Sequence, residues 1–351
     1  MRLQSMLFMP DLSTLWNTTY KEPYMHKIFT LLLLSATLVS CNGRQTTIAT
    51  ASPVERQLPQ VSFSSDSAYA YVGRQVAFGP RVPGTASHAA CLKYLVSEMS
   101  RYAQVDIQEG EGLAYDGSHE KIYNVIAHIA PEKNNRIMLS AHWDCRPFSD
   151  HDPDPSKRDM PVDGANDGAS GVGILIEVAR QLSLVPANVG VDIIFFDCED
   201  GGTPDHKKVE YRPDTWCVGS QFWSKSNMAQ DARYRFGILL DMVGAPNAIF
   251  PVELYSKNYA SDVVEKIWRT AERLGYGHTF VRDDGGYITD DHYYINKFAQ
   301  IPTADIIHYD PSSAVGFCSA WHTTSDNLSN ISKETLQMVG ETILSVVYME
   351  K

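Results

Sequence analysis

Asp197-Cys198-Glu199-Asp200 places three carboxylates in four positions, directly after the apolar run Val191-Asp192-Ile193-Ile194-Phe195-Phe196. Carboxylates this close repel one another unless a cation or a shared proton relieves them. Adjacent acids can divide the work, one ligating a metal while the other faces the substrate as a general base. Glu199 and Asp200 read as such a pair, the base and the ligand. His142, Asp167, Asp241 and His322 also stand at or just after the end of an apolar run, or in the loop that follows one. Each alone has an ordinary reading: Asp167 ahead of a helical stretch is an N-cap, and a single His is a hydrogen-bonded core or surface residue. Their recurrence at successive strand ends points to a joint site. Mixed Asp, Glu and His donors suit zinc, which takes imidazole nitrogen and carboxylate oxygen and, when catalytic, keeps one position open.

For these residues to meet, the runs that carry them must be neighbouring parallel strands, because the working crevice of an open α/β sheet lies outside the carboxyl ends of its strands. The run 191–196 is apolar on both faces and rich in β-branched and aromatic residues, which predicts a central strand of a covered sheet. Further strands are predicted at 105–108, 123–129, 136–141, 235–242, 252–255 and 302–307. Apolar spacing predicts helices at 66–76, 87–102, 172–182, 261–274 and 332–348, with shorter helices starting near Trp216 and at Thr289-Asp290-Asp291-His292. The fold expected is α/β: a single domain with a mostly parallel, mixed central β-sheet covered by helices. The long polar loop 146–163, with Asp150-His151-Asp152, fits no EF-hand spacing and reads as a solvated loop beside the site.

With 351 residues, 44% hydrophobic and 21% charged, the chain reads as a soluble globular protein. A net charge of −12 and the lack of a basic stripe exclude nucleic acid as a partner. Residues 25–41 have a basic start, an apolar run over 28–39 and the exit Leu38-Val39-Ser40-Cys41. That run is too short to span a bilayer and reads as a secretory signal. Its end resembles a bacterial lipobox, with Cys41 the lipidated residue. The expectation is an exported periplasmic or cell-surface lipoprotein that meets the membrane only through its lipid. Residues 1–24 read as an upstream extension, 42–60 as a flexible linker and 61–351 as the catalytic domain. Five cysteines remain in that domain, so at least one thiol stays free. A monomer is favoured.

Taken in order, Ala141-His142-Trp143-Asp144, Asn166-Asp167-Gly168-Ala169-Ser170-Gly171, Phe196-Asp197-Cys198-Glu199-Asp200, Leu240-Asp241-Met242-Val243-Gly244 and Trp321-His322-Thr323 resemble the successive motifs of the M28 zinc peptidase superfamily. Within it, the chain from about Asp66 onward is most similar to the glutaminyl-peptide cyclotransferases, in the bacterial branch related to the animal enzymes. The resemblance implies one catalytic zinc held by Asp167, Asp200 and His322, with Glu199 as the proton shuttle. It also implies an acidic network of Asp241 and Asp290, and pocket walls from Trp321 and, by analogy, Trp216. The substrates implied are peptides or proteins with N-terminal Gln, converted to pyroglutamate with release of ammonia. Two positions depart from the animal cyclases: Asp200 replaces Glu, and Gly168 replaces Ser. The alternative is an M28 aminopeptidase with two zinc ions, His142 and Asp241 holding the second. A lipoprotein that binds peptides without turnover would lack a base or a ligand, and here every expected position is filled.

Overall fold

The strand that carries the acidic tip, Gly190–Phe196, is buried along its whole length. The computed structural model to which it belongs describes residues 57–313 and 315–351. The segments read as extension, signal with Cys41, and all but the last residues of the linker lie outside the described residues. Chain order gives eight strands: β1 Gln104–Leu113, β2 His119–Ile129, β3 Arg136–His142, β4 Gly190–Phe196, β5 Tyr234–Asp241, β6 Phe250–Val252, β7 Phe280–Asp284 and β8 Thr303–Ile307. The helices are α1 Ser65–Val76, α2 Ala86–Met99, α3 Ala169–Leu184, α4 Val218–Ser224, α5 Asn227–Asp231, α6 Leu254–Tyr259, α7 Ser261–Arg273, α8 Asp291–Tyr294 and α9 Lys333–Met349.

The main sheet runs β1-β2-β4-β3-β5-β8. Strands β4, β3, β5 and β8 are mutually parallel, and β1 and β2 join antiparallel at one edge. The expected mixed, mostly parallel sheet is therefore present. Side chains of β4 alternate between two covered faces. Val191, Ile193 and Phe195 enter the larger core, which also takes in α1, α3 and α9. Ile194 and Phe196 enter a smaller one with Trp223 and Ile295. Each fully buried aliphatic or aromatic side chain contributes about 1.5–3 kcal/mol, which anchors the strand that presents the tip. Strand register then sets the site, because His142 pairs with Phe196 and Asp241 with Ile307. The chain leaves β3, β4, β5 and β8 along one carboxyl edge.

One expected strand is corrected. Residues 252–255 do not continue the main sheet: β6 pairs with β7 in a separate two-stranded sheet, and the chain turns into α6 at Leu254. The side chain of Glu253 caps α6 by accepting the N–H groups of Tyr255 and Ser256, so this polar cap overrides the strand propensity of its neighbours. Strand β7 itself is not legible in sequence, since only Phe280 is buried and its last three residues are exposed and charged.

At the opposite end of the sheet, Asp192 accepts from His128 Nδ1 at 2.9 Å, from Tyr234 at 2.5 Å and from Arg136. The His128 pKa is raised chiefly by the hydrogen bond to Asp192, against burial. Burial works to raise that of Asp192, yet its three donors hold it below the usual range. A raised His pKa means that its stabilisation is complete below about pH 6.5 and is lost as pH rises through the folded-state value. His128→Asn is therefore expected to reduce stability more at pH 6 than at pH 8 in denaturant titrations. Equal losses at both pH values would show that the imidazolium contributes nothing.

Candidate active site

Asp167 arrives from the loop between β3 and α3, Asp200 from the tip after β4, and His322 from the loop between β8 and α9. One donor atom from each lies within 4.8 Å of the others, and all three residues are buried. His322 Nε2 is 3.2 Å from Asp200 Oδ1 and 3.8 Å from Asp167 Oδ2. Asp200 Oδ2 is buried with no hydrogen-bond partner, a costly state for a carboxylate oxygen that a cation relieves. Two carboxylates and an imidazole at a cavity wall fit a divalent metal that keeps a position for substrate.

The trio is oriented by residues the sequence did not mark. Asp150 Oδ1 sits 3.3 Å from His322 Nδ1, and Arg146 holds Asp150 through Nε at 3.2 Å and Nη2 at 2.6 Å. A carboxylate on the far nitrogen of a ligating imidazole fixes both its tautomer and its orientation. The loop 146–163 is thus not simply solvated, since Arg146, Asp150 and Asp152 are buried. The His322 ring stacks on Trp321 at 3.7 Å and lies parallel to Trp216 at 6.3 Å. The Asp326 carboxylate accepts the backbone N–H groups of Asn166 and Asp167. Asp144 likewise accepts those of Glu199 and Asp200, at 3.1 and 3.2 Å. Asp144 lies two residues after His142, a spacing that marks it in hindsight. The Asp150 loop offered no periodic signal.

Glu199 lines the cavity beside Asp200. Its Oε1 accepts the thiol hydrogen bond of Cys217 at 3.0 Å. Glu199, Cys217 and Asp290 offer atoms within 4.8 Å of one another. Burial first, then the Asp290 and Asp200 carboxylates, raise the Glu199 pKa well above the carboxylate range, with His142 opposing. Burial and Asp167 push Asp241 up to about 8. Asp290 caps α8 and is raised by burial. Carboxyl groups held protonated near neutrality can pass protons. Asp197 plays no part in this: it accepts from His88 at 2.8 Å and from the Tyr123 N–H, a structural role. Cys198 is a buried spacer, and all five cysteines of the described chain are free thiols.

His142 sits behind the cavity wall, with Nε2 2.9 Å from Asp167 Oδ1 and 3.2 Å from Asp241 Oδ1. The three also form a second group able to hold a cation. Gly168 follows from this packing, since a Cβ there would fall 2.4 Å from the His142 carbonyl oxygen and 2.5 Å from Nε2. A serine at 168 is sterically excluded. The cavity, about 490 Å³, is lined by Asp167, Glu199, Asp200, Asp241, Asp290 and His322, and among its aromatic lining residues are Trp216 and Trp321. Every site residue expected from sequence within the described chain therefore converges on one place. His142 alone among them does not line the cavity.

A metal-fitting trio at the carboxyl edge of parallel strands, with a proton-holding glutamic acid on the same cavity wall, defines a metal-dependent α/β enzyme. The chain belongs to peptidase family M28, whose family model matches residues 124–347. It is 26% identical over 261 residues to a glutaminyl-peptide cyclotransferase of Bothrops jararaca, covering 65% of each chain, so it spans about two thirds of that relative. A solved zinc-dependent exopeptidase of Parabacteroides distasonis is 52% identical with a TM-score of 0.81, the match covering 84% of this chain and 100% of the other. A glutaminyl cyclase of Bacteroides thetaiotaomicron, solved with N-acetylhistamine, is 48% identical, again with a TM-score of 0.81 and coverage of 84% and 100%.

Proposed function

We propose that this chain is a zinc-dependent glutaminyl-peptide cyclotransferase, an aminoacyltransferase that converts N-terminal Gln of peptides or proteins to pyroglutamate and releases ammonia. The observation that carries the reading is Glu199, held beside the Asp167–Asp200–His322 trio in a cavity walled by Trp216 and Trp321. The likeness to a solved glutaminyl cyclase supports it.

In this reading Asp167, Asp200 and His322 hold the zinc. When bound, the ion supplies positive charge against the oxygen that becomes negative as the side-chain amide is attacked. The cavity walls keep the glutamine side chain folded back toward its own α-amine and exclude water. The amine nitrogen bonds to the side-chain amide carbon, and the bond from that carbon to the amide nitrogen breaks. Glu199 accepts the proton released by the amine and returns it to the departing ammonia. Asp290 and Asp200 face Glu199 and favour its protonated form, so the proton is held between the two steps rather than lost to solvent.

Incubation with a Gln-initiated peptide tests this directly: ammonia release with a product lighter by that amount supports the cyclase. Free glutamine would establish the aminopeptidase instead, which the His142–Asp167–Asp241 group keeps as the second reading. Asp150→Ala is expected to weaken zinc binding roughly 10- to 100-fold, measured by chelator competition, because the imidazole loses the partner on its far nitrogen. Unchanged affinity would show that the Trp stack alone orients His322.

Residues 25–41 support a lipid anchor at Cys41 and an exported, membrane-tethered enzyme. Among the described residues no helix is long and apolar enough to cross a membrane. Cys41→Ala is expected to shift the protein from the membrane fraction to the soluble fraction. Retention in the membrane would remove the anchor assignment.

A further inference from the structure

We infer that the rim of the cavity selects the second residue of the substrate and favours a large apolar or aromatic side chain there; this rests on the cyclase reading. The inner end of the cavity is polar, formed by the metal trio, Glu199, Asp241 and Asp290. Its outer part is aromatic. Tyr211 and Tyr287 line it while remaining 64% and 60% exposed. Isolated exposed apolar residues are ordinary on a protein surface, but two on the rim of the same functional cavity are not isolated. At about 490 Å³, the cavity lies within the roughly 300–1,000 Å³ that accommodates a drug-sized ligand. A glutamine side chain leaves much of it unfilled.

The rim is built rather than loose. Tyr287 packs edge-on against Tyr255 at 4.9 Å, and its hydroxyl accepts from Asn258 Nδ2 at 3.3 Å. Tyr309 is clasped between two glycines: a Cβ at Gly286 or Gly316 would fall 3.1 or 2.9 Å from its ring. Phe317 meets Tyr309 edge-on at 6.1 Å and Trp321 at 4.7 Å. Wall and rim thus form a continuous aromatic path, Trp321 to Phe317 to Tyr309, from the inner wall outward. A substrate whose α-amine and glutamine side chain lie at the inner end extends its second residue toward this path. An aromatic or branched side chain there gains burial against rings already held in place, with little ordering cost. Among the described residues, no Lys or Arg lines the cavity, while five carboxylates do. A second residue carrying negative charge finds repulsion and no basic partner.

The test compares kcat/KM for three peptides identical except at the second position: Gln-Phe, Gln-Ala and Gln-Glu. Gln-Phe is expected to exceed Gln-Ala by about tenfold, the scale of partial burial of one aromatic side chain, with the difference carried by KM, and Gln-Glu to be poorest. In the Tyr211→Ala/Tyr287→Ala double variant the Phe-to-Ala ratio is expected to fall toward one. Equal turnover of all three peptides by the wild-type enzyme would overturn the inference alone, whether or not the variant folds. Persistence of the full ratio in a folded double variant would overturn it too. Absence of ammonia from all three would sink the cyclase reading and this inference with it.

Discussion

Glu199→Gln is expected to lower kcat by about 10²- to 10⁴-fold, the contribution of a positioned acid–base group, while zinc content stays at the wild-type level. The substitution keeps the shape of the side chain and an oxygen able to accept the Cys217 thiol hydrogen bond now made at 3.0 Å. It removes only the ability to take up and return a proton. Backbone position is preserved as well, because Asp144 holds the N–H groups of Glu199 and Asp200 regardless of the side chain at 199. Elemental analysis and steady-state kinetics on the same preparation separate the outcomes. Full activity would place the base elsewhere, with Asp290 the next candidate by position. Loss of zinc along with activity would make Glu199 a ligand.

His322→Ala should eliminate both zinc and turnover. The imidazole is the sole nitrogen donor of the trio, and its removal leaves Asp167 and Asp200 facing one another across a buried site. Burial and the facing Asp167 already raise the pKa of Asp200, so the two acids would relax by sharing a proton rather than by holding a cation. The wild-type protein is expected to hold one zinc per chain. The variant also tests the aminopeptidase reading, because an ion held by His142, Asp167 and Asp241 would survive the loss of His322. A wild-type chain carrying two zinc ions, with one retained in the variant, would establish the two-metal hydrolase.

Much of this site is legible before folding. The Glu199–Asp200 pair stands out because repulsion among adjacent acids needs a reason, and the run before it has the length and composition of a buried strand. Asp241 and His142 are legible for the same cause: each ends an apolar run. The residues that make the trio work are not. Asp150 sits in a polar loop that reads as solvated, and only the fold brings it to His322 Nδ1 with Arg146 behind it. Cys217 lies eighteen positions after Glu199, and its thiol reaches the base only because its N–H hydrogen-bonds the Glu199 carbonyl at 2.8 Å. Strand β7 escapes notice because its pairing with β6 uses backbone groups, to which side-chain patterning is blind.

The sequence alone determined the α/β class, the strands that end in chemistry and the identities of the donors, because burial and local propensity are written in residue order. The tertiary structure alone decided that His142 lies behind Asp167 and Asp241, that residue 168 admits no side chain, and that an aromatic rim continues the pocket outward. Those features arise from register and close approach between segments far apart in the chain, where a shift of one residue turns a side chain to the opposite face of its sheet.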